Sequence, residues 1–564
     1  MNTRLLPLLV VAAVFVLCQW AVRPSGSLNA TPTDAAQIDD ELPTTVAQID
    51  GYFEGIWTRQ ELQPAQPADE LLLLRRLALS LMGTVPSLEE IRQFELDDQP
   101  NRIERWTQRY LNDPRFADYF AERLARCFVG VESGNLVTFR RDRFVSWLSE
   151  QLTQNEPYDS IVRQLIASKG LWTGEPQTNF ITAAVANDDL DENKLAARSV
   201  RAFLGQSMDC AQCHDHPFDE NWKQYHFEGV AAQFGQAETS GLGVFDKPDK
   251  MFEVDDLEKI DPEASEDDDI PQREVAPTVP FGKEWLPTEG TAREQFAHWM
   301  THPENRRFER AIANRVWGLM FGRAFVAPVD DMPNPSESEA DRDVLDMLGR
   351  DFRQHNYDLK RMILTIASTK PFRIQSVVEL DNQSQADVDD EELLSMLDES
   401  WAVFPMTRLR PEQIIGSMLQ ASSIQTIDLN SHMFMRLRRF FGEQNFVNEY
   451  GDLGDQELVE QTGTIPQALL RMNSGMTRDA VGAGVGPAAL FANFTACARI
   501  SKYSQSNKEA LESAYFVCLS RKPTPEEREH FMAQLDDHTD DRRNPIVEDI
   551  FWTLFNSPEF SWNH

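Results

Sequence analysis

Cysteine is scarce in this chain, with six residues in 564, too few for a disulfide scaffold. Basic residues are also short: 54 Lys and Arg against 91 Asp and Glu leave a formal net charge of −37. Such a surface repels nucleic acid and anionic membranes and argues against both as partners. Strict alternation of apolar and polar residues is sparse before residue 235, so that half reads as mostly α. No internal repeat is discernible. G-x-x-x-x-G-K-[ST], G-x-S-x-G and H-E-x-x-H are all missing, which removes the usual signatures of phosphate cradles, serine hydrolases and zinc proteases. The glycine-rich Gly475–Gly486 segment therefore reads as a plain loop.

Two of the few cysteines stand together. Cys210-Ala211-Gln212-Cys213-His214 has the spacing of c-type haem attachment, and Asp215-His216-Pro217-Phe218-Asp219 follows it. A tight C-x-x-C turn sets both sulfurs on the vinyl edge of one haem. The histidine that follows is then placed to offer a ring nitrogen to the iron. Two other readings compete. Cys210, Cys213, His214 and His216, completed by His226, could hold zinc or iron as a structural site. Cys210 and Cys213 could instead form a disulfide.

The chain starts with a basic Met1-Asn2-Thr3-Arg4 and an apolar run from Leu5 to Val22, the form of an export signal or a single membrane anchor. Export is consistent with haem c, which bacteria attach outside the cytoplasm. Residues 24–45 read as a flexible linker rich in Ser, Pro, Thr and Ala. Residues 46–235 form a helical domain that ends in the cysteine motif. Expected helices include Leu71–Met82, Leu88–Phe94 started by a Ser87…Glu90 capping box, and Lys194–Leu204 stopped by Gly205. Residues 236–287 form an acidic, partly disordered insertion, with 13 acidic and 4 basic residues between Asp246 and Glu274. Short strands are expected beside it, such as Val275–Phe281. Residues 288–564 form a second helical domain, with helices over Ala311–Phe321 and Ile546–Leu554 and a Thr524-Pro525-Glu526-Glu527 start. Ser384–Glu399 reads as a solvated acidic connection. The fold class is mainly α, two helical domains with the insertion between them and a few short strands.

Asp330 and Asp331, with Glu337 and Glu339, form a candidate carboxylate cluster for acid–base or metal-assisted catalysis. Arg315 and Arg323 stand close enough in sequence to pair with either aspartate. His226 is a further candidate for an iron ligand.

Several ordered pieces carry a resemblance. In the first part they are Arg75-Arg76 through Gly83, Asn155-Glu156-Pro157-Tyr158-Asp159, and Phe203-Leu204-Gly205 through Asp219 with Trp222-Lys223-Gln224. In the second they are Asn314-Arg315-Val316-Trp317, Phe321-Gly322-Arg323, Arg408-Leu409-Arg410-Pro411-Glu412 and Leu519-Ser520-Arg521-Lys522-Pro523-Thr524. Together these resemble planctomycete secreted proteins in which a cytochrome-associated domain of unknown function precedes a planctomycete-specific C-terminal domain. The resemblance implies haem and no defined activity. The chain departs from the family pattern at Ser80, Ala324, Gly416 and the Pro335-Ser336-Glu337-Ser338 segment.

The functional expectation is an exported protein with covalent haem c at Cys210, Cys213 and His214. It would transfer electrons to or from a redox partner protein in the cell envelope. The alternative expectation is an envelope protein stapled by zinc or iron, whose C-terminal domain is an enzyme or binding module linked to polysaccharide processing.

Overall fold

The Glu70–Met82 helix lies at the centre of the molecule. Asp69 starts it by accepting a hydrogen bond from the Leu71 amide, and Gly83 ends it in the left-handed region at φ 66°. Every residue from Leu73 to Met82 is buried, so this helix is apolar all round except for Arg75, Arg76 and Ser80. Burying each of its large apolar side chains contributes about 1.5–3 kcal/mol.

The computed structural model describes residues 41–132, 139–186, 189–215, 222–240, 243–256, 271–336, 338, 342–378, 390–428, 431, 446–454, 458, 463–482, 495–536, 538 and 540–564. Pro43–His564 form one compact unit. The described residues are mainly α-helical, as the sequence indicates, and the only strands among them are four antiparallel pairs. None of the described helices is long and apolar enough to cross a membrane, and the Leu5–Val22 segment lies outside them.

Most expected helices form with the expected caps. Ser87 and Glu90 make a reciprocal capping box for Leu88–Leu96. Asp191 caps Glu192–Leu204, which Gly205 ends at φ 59°. Thr524 and Glu527 box the start of Pro525–Leu535. Two expectations are corrected. Asp390–Glu399, read as a solvated connection, is a helix that buries Leu397. Gly475–Ala480, read as loop, is a short helix that buries Ala480 against the C-terminal core. In both cases a few apolar side chains docking on a core outweigh the local acidic or glycine-rich composition.

The stretch expected to be an acidic insertion supplies two antiparallel ribbons, Ala237–Ser240 with Gly243–Asp246 and Phe252–Asp255 with Gln272–Val275. Its most acidic point, Glu266–Asp269, lies outside the described residues. Of the expected Val275–Phe281 strand only Val275 is in a strand. Some of its acid is structural, since Asp246 accepts from the buried guanidinium of Arg293 at 2.8 Å.

The helix at the centre joins the two halves of the sequence. The chain entering it runs beside residues 373–375, where the Ala68 amide donates to Arg373 and the Gln375 amide to Gln66, both at 2.8 Å. Leu79 and Val85 belong to the same apolar cluster as Leu409, Ile415, Tyr515, Phe551 and Phe560. Ser80, one of the departures from the family pattern, donates to the Met320 carbonyl at 2.9 Å.

Candidate functional site

The Glu192–Leu204 helix delivers the chain to the cysteine motif, and Gly205 turns it. A side chain at Gly205 would strain the backbone, and its Cβ would stand 2.6 Å from the Met332 methyl carbon. The bend is pinned from the second half of the sequence. The Met332 amide donates to the Gly205 carbonyl at 2.8 Å. Gln206 is buried; its Nε2 donates to Asp331 Oδ1 at 2.7 Å and its Oε1 accepts from Arg307 Nη1 at 3.1 Å. The Arg307 guanidinium in turn lies 5.7 Å from the Trp222 ring centroid. These contacts brace the chain on both sides of the motif.

The motif itself is a 3₁₀ turn over Asp209–Gln212. The Cys213 amide donates to the Cys210 carbonyl at 3.3 Å, and so does the His214 amide. In a 3₁₀ turn the side chains three residues apart eclipse one another. Ala211 and Met208 point into the core, while Cys210 and Cys213 are both exposed and both free thiols. The turn therefore presents two sulfurs on one solvent-facing side. The exposed His214 ring has Nδ1 2.7 Å from the Asp215 carbonyl oxygen. A carbonyl only accepts, so Nδ1 carries the proton and Nε2 keeps its lone pair for a metal. Two free thiols on one side and a histidine with an available Nε2 fit the donor set of c-type haem attachment.

The other candidates fall elsewhere. His226 is buried, and its Nδ1 accepts from the Lys223 amide at 3.3 Å as part of the start of the Gln224–Ala231 helix. A neutral His226 thus holds its proton on Nε2, the reverse of the ligand arrangement. Among the described residues no group of three or more His, Cys, Asp and Glu side chains could hold a metal ion, so Cys210, Cys213, His214 and His226 do not converge on one centre. His216 and Phe218 lie outside the described residues, as do Glu337 and Glu339.

Asp330 and Asp331 diverge. Asp330 pairs with Arg315, one of the two arginines expected nearby. Arg323 pairs instead with Asp398. Asp331 Oδ1 accepts from the Gln206 side chain and from the Ser207 amide, next to the motif. Both carboxylates are thus engaged in bracing the fold. Sequence reasoning missed Gln206 and Arg307, because Arg307 reaches Gln206 across 101 residues and no local spacing marks the pair. The one available signal is Gly205, whose helix-stopping position is legible from the sequence.

Residues 48–239 match the family model PSCyt2, described as a protein of unknown function (DUF1549). Residues 292–439 match PSD1, described as a protein of unknown function (DUF1553). The order of the two matches is the order that the sequence resemblance implies. No curated protein and no solved structure matches the chain.

Proposed function

We propose, from the premise that the chain carries a PSCyt2 domain followed by a PSD1 domain, that it is an exported c-type haem protein with an electron-transfer role at the cell envelope. The observation that carries this reading is the exposed Asp209–Gln212 turn with the free thiols of Cys210 and Cys213 on one side. Cys210 and Cys213 would hold the group through thioether bonds, and His214 would ligate the iron through Nε2. A haem bound there would supply a one-electron iron couple. The Asp215 carbonyl holds the His214 ring in the ligating tautomer. Asp331, Gln206 and Arg307 keep the turn in place from below. The exposure of the motif leaves an edge open to a docking partner. The net charge of −37 favours one with a basic face.

The test is a haem-stained denaturing gel and a pyridine haemochrome spectrum. The full chain is exported from a host with a c-type maturation system. The expected result is covalent haem that is lost in Cys210→Ala and in Cys213→Ala. Exported, folded protein without covalent haem would overturn the reading.

A further inference from the structure

A cleft of about 560 Å³ is walled by the 322–329 segment, the Thr407–Arg408 strand, Tyr450 and Trp562. Its size lies within the range of ligand pockets, roughly 300–1,000 Å³. The two-residue strands Thr407–Arg408 and Trp562–Asn563 pair antiparallel with Arg408 opposite Trp562, which places a guanidinium and an indole at the same wall. Most of the remaining lining is apolar, including Val329, Met406 and Leu458.

The charges in this cleft do not cancel. Arg323 pairs with Asp398, and Arg410 donates to Glu412 at 3.0 Å. Arg408 is different. Its Nη2 donates to the Tyr450 hydroxyl at 2.7 Å, and it has no carboxylate partner among the described residues. The Tyr450 oxygen accepts that bond, and its own O–H has no acceptor among the described residues. Gln467 fixes the tyrosine by donating to its backbone carbonyl at 2.9 Å. In a chain with 37 more acidic than basic groups, a partly buried guanidinium with no carboxylate beside it among the described residues favours an anion.

We propose that this cleft binds a small organic carboxylate with an apolar body. The carboxylate sits beside the Arg408–Tyr450 hydrogen bond, accepting from the remaining N–H groups of Arg408 and from the Tyr450 O–H. The body lies against Trp562, Met406, Leu458 and Val329. A single uncompensated cation suits a monoanion, and the apolar walls select against small hydrophilic acids. The proposal does not rest on haem at the cysteine motif.

Isothermal titration calorimetry on the full chain tests this, with phenylbutyrate and octanoate as probes and phenylbutyramide as the uncharged control. At least one carboxylate is expected to bind saturably at one site per chain, and the amide about tenfold more weakly or worse. Arg408→Gln is expected to weaken the carboxylate by a similar factor, and Tyr450→Phe by a smaller one. Failure of both carboxylates to saturate would overturn the proposal. So would equal binding of acid and amide, or undiminished binding in Arg408→Gln. Should Arg408→Gln not fold, Tyr450→Phe decides: undiminished carboxylate binding in that variant rejects the site.

Discussion

The Arg76 guanidinium donates from Nε to the backbone oxygen of His564 at 2.8 Å, across a separation of 488 residues. Its Nη1 donates to the carbonyls of Phe372 and Ile374, each at 2.7 Å, and its plane lies 3.6 Å from the Phe404 ring centroid. Arg75 beside it donates to the carbonyl of Cys518 at 3.0 Å. Both side chains are fully buried, and burial pushes the Arg76 guanidinium down to about 9. One helix turn from the first half of the sequence thus satisfies backbone oxygens of the second half that would otherwise be stranded in a dry core.

Arg76→Met keeps an apolar stem against Phe404 and removes every donor. It is expected to lower stability by about 3 kcal/mol or more. The readout is a lower urea midpoint at unchanged slope. A midpoint equal to that of the parent chain would show that these carbonyls find other partners.

Residues 46–235 expressed alone are expected not to fold cooperatively. Leu79, Val85, Arg75 and Arg76 have their partners in residues that the fragment lacks. A broad, weak thermal transition by circular dichroism is the expected outcome. A sharp two-state melt of the fragment would contradict it.

Two buried or half-buried carboxylates should respond to pH in opposite directions. Glu309 is pushed up to about 7, first by burial, with Arg353 opposing at 3.2 Å and Asp346 adding to the rise. The folded state holds this proton up to about 7, while the unfolded chain releases it near 4.5. Stability from this group is therefore greatest below 4.5 and declines as pH rises to 7. Glu309→Gln is expected to be more stable than the parent near pH ~8, by on the order of 1–2 kcal/mol, and little different near pH ~4. A constant difference in melting temperature across that range would reject this assignment.

Glu559 behaves in the contrary sense. Burial opposes its charge, but Arg521 outweighs burial, donating from Nε at 2.6 Å and from Nη2 at 2.7 Å, and the carboxyl is held down at about 2. Its contribution is fully present above 4.5 and is lost as pH falls towards 2. Glu559→Gln is expected to cost about 1 kcal/mol near neutrality, since the pair is a quarter to a third exposed, and progressively less in acid. Urea titrations of both proteins across the acid range measure the convergence; curves that stay parallel would refute it.

The five thiols among the described residues divide into two classes. Cys210 and Cys213 are exposed, whereas Cys127, Cys497 and Cys518 are buried, and burial pushes the thiols of Cys497 and Cys518 well up. In chain made without a c-type maturation system, iodoacetamide under native conditions is expected to label Cys210 and Cys213 but not Cys127, Cys497 or Cys518. The other three should react after unfolding. Peptide mass mapping reads the outcome, and native labelling of Cys127, Cys497 or Cys518 would contradict this burial.

Much of the architecture is local and therefore legible from sequence. A Ser87…Glu90 box, a Thr524-Pro525 start and a Gly205 stop each depend on residues within one helical turn, so their spacing suffices to place the ends of helices. The same holds for the Cys210…Cys213 turn, whose 3₁₀ geometry follows from four consecutive residues. Composition misleads where tertiary packing overrides it. Asp390–Glu399 looks solvated by its charge, yet it is helical because Leu397 docks inward.

By itself the sequence determined the mainly helical class, the caps and the motif that names a chemistry, because each is a matter of neighbours along the chain. Tertiary structure alone decided that Arg76 anchors the last residues, that Asp331 braces the cysteine turn, and that Arg408, opposite Trp562, has no carboxylate partner among the described residues. Those relationships join groups a hundred to several hundred residues apart. Which polar groups meet there depends on how the apolar faces of the helices pack, and spacing along the chain carries no record of that.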